Sequence, residues 1–167
     1  MKTEKKLRRA IVPGSFDPMT LGHLDVLRRA AAIYDEVYLA LLINPNKEYL
    51  FDLETRLSIA EIGCADIENV RVVHDGGMLV DLARKLGCGA IIKGVRNSTD
   101  FEYEMKMAFF NCELAPEIET LFLPCSYGLG EVSSTRVRCL LEKGDLAEAE
   151  KLLPSGAINI IRKNRGL

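Results

Sequence analysis

Eleven residues near the amino terminus carry the densest chemistry in the chain: PGSFDPMTLGH at positions 13–23. They follow a short apolar run and lead into an amphipathic segment, so they occupy a strand-to-helix turn. In an open parallel sheet such turns lie at the carboxyl ends of the strands, where ligands bind. The N-terminus of the following helix offers free N–H groups to an anion. Gly14 lets backbone approach a phosphate, Ser15 supplies a hydroxyl, and Gly22 leaves room beside His23. These parts suit a nucleotide triphosphate, although a Gly/Pro turn with a capping histidine would use the same residues. The run is neither G-x-G-x-x-G nor G-x-x-x-x-G-K-[ST], which removes the main warrant for a dinucleotide dehydrogenase or a P-loop NTPase.

A second run, GLGEVSSTRVR at 128–138, again lies between a strand and a helix. Ser133, Ser134 and Thr135 at a helix start, with Arg136 and Arg138 in the first turn, can gather a polyphosphate through hydrogen bonds and charge. They could equally be a Ser/Thr cap with solvated arginines. Between the two runs stands IIKGVRNSTDFEYEM at 91–105, which sets Lys93 and Arg96 at the end of a buried strand, for phosphate or for solvent. Lys47, in the loop after the second strand, reads by itself as a solvated lysine.

Taken together, these segments resemble a known group. The run at 13–23 resembles the first signature of the nucleotidyltransferase superfamily, with its T/H-x-G-H element at Thr20 to His23. Ser133 to Arg136 resembles the second signature, I-S-S-T/S followed by a basic residue. The block at 91–105 is similar to the R-G-L-R-x-x-x-D-F-E-Y-E stretch of the bacterial pantetheine-phosphate adenylyltransferases. The similarity spans about residues 9–138. Lys93 stands where that family usually has arginine, which keeps the charge and loses the bidentate fork, and Ser15 replaces a common threonine. After Arg138, the segment 144–154 and the ending 161–164 look more like nicotinamide-nucleotide adenylyltransferases.

The resemblance implies transfer of the adenylyl group of ATP to 4′-phosphopantetheine, with Mg²⁺ accompanying ATP and no metal site built by the protein. It implies that Ser15 and Phe16 meet ATP, Ser15 also reaching the acceptor. His23 would hold the phosphates and steady the transition state, and Lys47 would grip the acceptor phosphate. Leu79 and Lys93 would place the phosphopantetheine. Gly94, Val95, Arg96, Glu104, Leu129, Gly130, Glu131, Val132, Ser133, Ser134 and Thr135 would surround ATP. A homohexamer is implied as well. Adenylylation of nicotinamide mononucleotide, cytidylyl transfer to a small phosphate acceptor, and a nucleotide-binding domain without turnover are the competing readings.

The elements that must position these residues are legible as alternation. Apolar runs at 10–12, 37–43, 70–74, 90–92 and 118–123 have the length of buried strands. Amphipathic segments at 24–34, 53–64, 79–86 and 135–153 separate or follow them. This pattern predicts an α/β Rossmann-like open parallel sheet with helices on both faces. Leu53, Leu57, Ala60 and Cys64 share one helical face, and Asp52 is placed to cap it. Residues 101–107 alternate like a strand, but their Glu, Met, Lys and Ala content predicts a helix. Asp100 would cap it, with Phe101, Met105, Ala108 and Cys112 as its stripe. The basic tail, 159–167, reads as a frayed last helix.

Size and charge bound the rest. The 167 residues, 48% hydrophobic, fit one domain over 1–167 with a helical tail at about 139–167. Twenty-two basic and 24 acidic residues leave a net charge of −2, so no broad basic field for a nucleic acid is expected. Cys64, Cys88, Cys112, Cys125 and Cys139 form no C-x-x-C pair and predict reduced, packed thiols. With only His23 and His74 besides, a transition-metal cluster has little to build on. No run approaches the roughly 20 apolar residues that span a bilayer, and the basic start leads into no secretory signal. A soluble cytoplasmic protein without a membrane partner is expected.

Overall fold

The computed structural model describes residues 7–166; residues 1–6 and 167, which belong to the basic start and the tail discussed above, lie outside it. Five strands, β1 (Arg9–Gly14), β2 (Glu36–Leu42), β3 (Val70–Asp75), β4 (Ala90–Val95) and β5 (Glu119–Pro124), form one sheet. Its order is β3-β2-β1-β4-β5 and every pairing is parallel. The helices are α1 (Leu21–Ile33), α2 (Leu53–Cys64), α3 (Leu79–Leu86), α4 (Ser98–Leu114), α5 (Ser134–Glu142), α6 (Leu146–Glu150) and α7 (Ala157–Arg165).

Alternation along each strand sends side chains to two cores. Ala10, Val12, Val37, Leu39, Leu41, Ala90 and Ile92 pack with α1, α2 and α5–α7 on one face. Ile11, Ala40 and Ile91 pack with α3, Ala115 and Ile118 on the other. The expected parallel sheet with helices on both faces is what the chain builds. Every strand departs from its apolar run by at least a residue, and β1 and β4 continue two and three residues past it at their carboxyl ends, where Pro13, Gly14, Lys93 and Gly94 interrupt the apolar pattern.

Three sequence expectations need correction. Asn97, not Asp100, caps α4: its side chain accepts the N–H of Asp100, which lies inside the first turn. Asn is a strong capping residue and stands where the chain is still extended. Through Arg165 the tail is docked and not frayed. Ile158 and Ile161 are buried in the core against α2, while Asn164 and Arg165 donate to Thr55 Oγ1 and the Leu141 carbonyl at 2.9 Å each. The cysteines divide: Cys64 and Cys88 are buried, whereas Cys125 is half-buried and Cys112 and Cys139 are exposed. Burial pushes the Cys64 thiol up to about 12 and that of Cys88 up to about 11, so both stay protonated.

The expected helix at 101–107 forms as part of α4, and Asp52 caps α2 by accepting the Thr55 N–H at 2.8 Å. The stripe on α4 is not buried by this chain: Phe101 and Cys112 are exposed, Met105 and Ala108 are half-buried, and Asn111 is the one fully buried residue of the helix.

Candidate active site at the switch point of the sheet

From β1 the chain winds outward to β2 and β3, and from β4 it winds the opposite way to β5. The crevice between β1 and β4 is therefore the topological switch point, where open α/β sheets bind ligands. A cavity of about 600 Å³ opens there, lined by the carboxyl ends of both strands. Ser15, Phe16, Thr20, His23, Lys47, Lys93, Gly94, Val95, Arg96, Glu104, Leu129, Val132, Ser133, Ser134, Thr135 and Arg138 all line it. Three runs far apart in sequence thus meet at one place.

Sterics fix the first loop. Phe16 sits at φ 46°, in the left-handed region, which turns its ring back under β1. A Cβ at Gly14 would lie 2.9–3.2 Å from that ring, so the bare glycine first makes room for Phe16, a packing role that the phosphate reading of Gly14 did not foresee. The ring meets His23 edge-on, centroids 5.0 Å apart. A Cβ at Gly94 would meet Val26 at 2.7 Å, so α1 lies against β4 only because that residue has no side chain.

His23 takes the third position of α1 and completes a capping box. Its Nδ1 accepts the backbone N–H of Thr20 at 3.0 Å. An amide N–H can only donate, so Nδ1 is the unprotonated nitrogen and the neutral ring carries its proton on Nε2. Burial first, then the charges of Arg96 and Lys93, lowers the His23 pKa from its ordinary 6.5 to about 4. The ring is therefore a neutral N–H donor at pH 7, set among cations.

Lys47 Nζ donates to Ser15 Oγ at 3.0 Å, joining the loop after β2 to the loop after β1. Lys93 Nζ lies 3.0 Å from Glu104 Oε2, an ion pair whose side chains are 20% and 18% exposed. The Arg96 fork is bonded to Asp100 at 2.7 and 3.1 Å. Of the hydroxyls at the start of α5, Ser133 caps the helix by accepting the Arg136 N–H. Ser134 donates to the Pro18 carbonyl at 2.7 Å, and Thr135 accepts from Arg138. The Ser134 bond links the two signature loops. In α1 the Leu21 N–H is taken by the Leu152 carbonyl and the His23 N–H by the Thr20 side chain, which leaves Gly22; in α5 the N–H groups of Ser134 and Thr135 remain to face an anion.

Not every expected residue converges. Leu79 opens α3 and packs beside the second core, outside the cavity lining. Gly130 and Glu131 are exposed and also outside it; the Glu131 side chain lies 4.0 Å from Arg136. Conversely, sequence reading missed Asp17, which is buried and accepts the N–H groups of Leu50 and Phe51 at 2.8 and 3.0 Å. Arg138 donates to the Asp17 carbonyl at 2.7 Å. Arg56 was missed too, although a charge within the apolar stripe of a helix was a signal. A second cavity of similar volume, at the amino ends of the strands, holds Arg8, Arg9 and Arg84, each already paired with a carboxylate.

A switch-point cavity with two helix N-termini, clustered cations and a neutral histidine defines a nucleotidyl-binding class. The cytidylyltransferase-like family model matches residues 11–140, and the chain belongs to that family. Its curated relatives include the phosphopantetheine adenylyltransferases. The enzyme of Caldanaerobacter subterraneus subsp. tengcongensis is 44% identical over 138 residues, 83% of this chain and 86% of the relative. That of Lachnoclostridium phytofermentans is 43% identical over 155 residues, covering 93% and 94%, and that of Clostridium perfringens 46% over 132, covering 79% and 80%. The solved lipopolysaccharide core biosynthesis protein of Thermoplasma volcanium shares the fold alone, with a TM-score of 0.52 at 20% identity over 72% of this chain and 98% of its own.

Proposed function

We propose that this chain transfers the adenylyl group of ATP to the phosphate of 4′-phosphopantetheine, giving dephospho-coenzyme A and pyrophosphate. The observation that carries the reading is the Lys47–Ser15 contact at the mouth of β1, opposite the cluster of His23, Lys93 and Arg96 across one cavity. It supplies an anion site on the β2 side for the acceptor and another on the β4 side for the nucleotide. The relatives at 43–46% identity act as adenylyltransferases on phosphopantetheine by name. An alignment of 155 of 167 residues must run past Arg138 to residue 155 at least, so the segment 144–154 belongs to that match, and nicotinamide mononucleotide is not the favoured acceptor.

In this reading an acceptor phosphate oxygen attacks the α-phosphorus in line and the bond to pyrophosphate breaks. The nucleophile is already anionic, so no residue need take its proton. The protein orients the two substrates and stabilises charge on the transferring group. Lys47 neutralises the acceptor phosphate, and the Ser15 hydroxyl lies between acceptor and nucleotide. His23 Nε2–H donates to an oxygen where charge grows, without first needing to gain a proton.

Magnesium is part of the proposal and supplies further charge neutralisation on the phosphates. The acidic residues lining the cavity are Asp17, Asp100 and Glu104. They are committed to backbone N–H groups, to Arg96 and to Lys93. Among the described residues no group of three or more His, Cys, Asp or Glu could hold a metal. The ion would therefore be held by the triphosphate and water, as suits its hydration.

No helix among the described residues is long and apolar enough to cross a membrane. Work in the cytoplasm is proposed because the proposed reaction draws on ATP. A homohexamer is proposed from the apolar surface left on α4, where Phe109 and Tyr103 are 67% and 64% exposed. Detection of dephospho-coenzyme A by mass spectrometry after incubation with both substrates tests the reaction; its absence under conditions where the protein is folded overturns it.

A further inference from the structure

The residue that sets the position of Lys47 is not itself in the cavity. Arg56, on the first turns of α2, is 2% exposed, and its Nη1 donates to the backbone carbonyl of Ser15 at 2.9 Å. Its guanidinium carbon lies 3.9 Å from the centroid of the Tyr49 ring, and Lys47 Nζ lies 5.7 Å from that centroid. The Tyr49 hydroxyl accepts the Asn44 N–H at 2.9 Å and donates to the Leu42 carbonyl at 3.4 Å, pinning the ring to the end of β2. One guanidinium therefore touches both halves of the Lys47–Ser15 contact: the Ser15 backbone directly, and the Lys47 loop through Tyr49.

Arg56 does this at a cost. Its Nε is buried without a hydrogen-bond partner, and a buried charge that is incompletely bonded is a net burden on the fold. An apolar side chain of the same length would fill the space without that burden. We propose that Arg56 is a positioning residue for the acceptor: it holds Ser15 and the Lys47 loop in one geometry so that the ammonium and the hydroxyl present a preformed site to the acceptor phosphate. The inference rests on the acceptor role given to Lys47 above.

The test separates the two. In the free protein, the rate at which an amine-reactive anhydride labels Lys47, read by peptide mass spectrometry, needs no substrate. Arg56→Met should raise it severalfold, and Arg56→Lys should raise it less. In turnover, Arg56→Met should raise the KM for phosphopantetheine about tenfold or more, the usual effect of losing a charge-assisted contact. The KM for ATP should rise by less, about threefold at most, because the nucleotide shares only Ser15 with the acceptor and keeps His23, Lys93 and Arg96, which Arg56 does not touch. Arg56→Lys should recover part of the loss, and adding Arg56→Met to Lys47→Ala should cost nothing further. Thermal stability of Arg56→Met should be unchanged or higher.

Unchanged Lys47 labelling, an equal loss for both substrates, or a full further loss on top of Lys47→Ala would each overturn the proposal. Failure of the wild-type protein to use phosphopantetheine would overturn the proposed reaction instead, and the labelling comparison would still decide the role of Arg56.

Discussion

Lys47 and Ser15, 32 residues apart in sequence, meet at 3.0 Å through Nζ and Oγ, and this contact ties the loop after β2 to the loop after β1 at the cavity. A hydroxyl held by an ammonium offers its own proton elsewhere, and the ammonium keeps two donors free for a phosphate. Lys47→Ala should therefore raise the KM for phosphopantetheine by about tenfold to a hundredfold, the scale of a charged hydrogen bond, and leave the KM for ATP nearly unchanged. Steady-state pyrophosphate release with each substrate varied in turn checks this. Unchanged acceptor kinetics would remove Lys47 from the site.

His23 should act on the transition state more than on binding. Its Nδ1 is occupied by the Thr20 N–H, so the ring has one donor to give. His23→Ala should lower kcat by about 10²-fold or more, as loss of a single oxyanion-type donor does. The same ring shapes the pH dependence of stability. Its pKa is lowered to about 4 in the folded state, against the ordinary 6.5 of an unfolded chain. Below pH 6.5 the unfolded state takes up a proton that the folded state refuses until about pH 4. The contribution is complete above pH 6.5 and is lost as the pH falls toward 4. Between pH 7 and 5 the wild type should lose about 2 kcal/mol more than His23→Asn, from the linkage of proton binding to unfolding. Urea melts at the two pH values measure it; equal losses would mean the ring titrates normally.

The Lys93–Glu104 pair should be worth more whole than halved. Lys93→Met leaves Glu104 Oε2 buried without its cation and should cost about 2 kcal/mol, below the cost at fully buried pairs because these side chains are about one-fifth exposed. The double variant with Glu104→Gln should recover most of that loss. Thermal melts of the three variants check the cycle, and additive losses would show that the two groups do not depend on each other.

Sequence reading reached the cavity mainly through its two glycine-rich loops, because a loop that must approach a ligand needs unusual residues in a fixed order. It recovered the sheet because strands buried on both faces are nearly pure apolar runs. It lost the carboxyl ends of β1 and β4, where Pro13, Gly14 and Lys93 serve the site and break the apolar pattern. Asp17 and Arg56 escaped because their partners are backbone groups 33–34 and 41 residues away, a relation no local spacing records. Leu79, assigned to the site by family likeness alone, opens α3 and packs half-buried against the second core.

The apolar face of α4 bears on assembly. Phe109 and Phe110 are 67% and 45% exposed. A second copy of the chain would cover such a surface. Light scattering should give the mass of a hexamer for the wild type and a smaller species for Phe109→Asp with its far-ultraviolet circular dichroism unchanged. A monomeric wild type would contradict the assembly.

The most direct test of the central claim is pyrophosphate release by purified protein with ATP and magnesium, with 4′-phosphopantetheine or nicotinamide mononucleotide as acceptor. Release that depends on phosphopantetheine and is absent with the mononucleotide is the predicted result. Release only with the mononucleotide, or with neither, would contradict it.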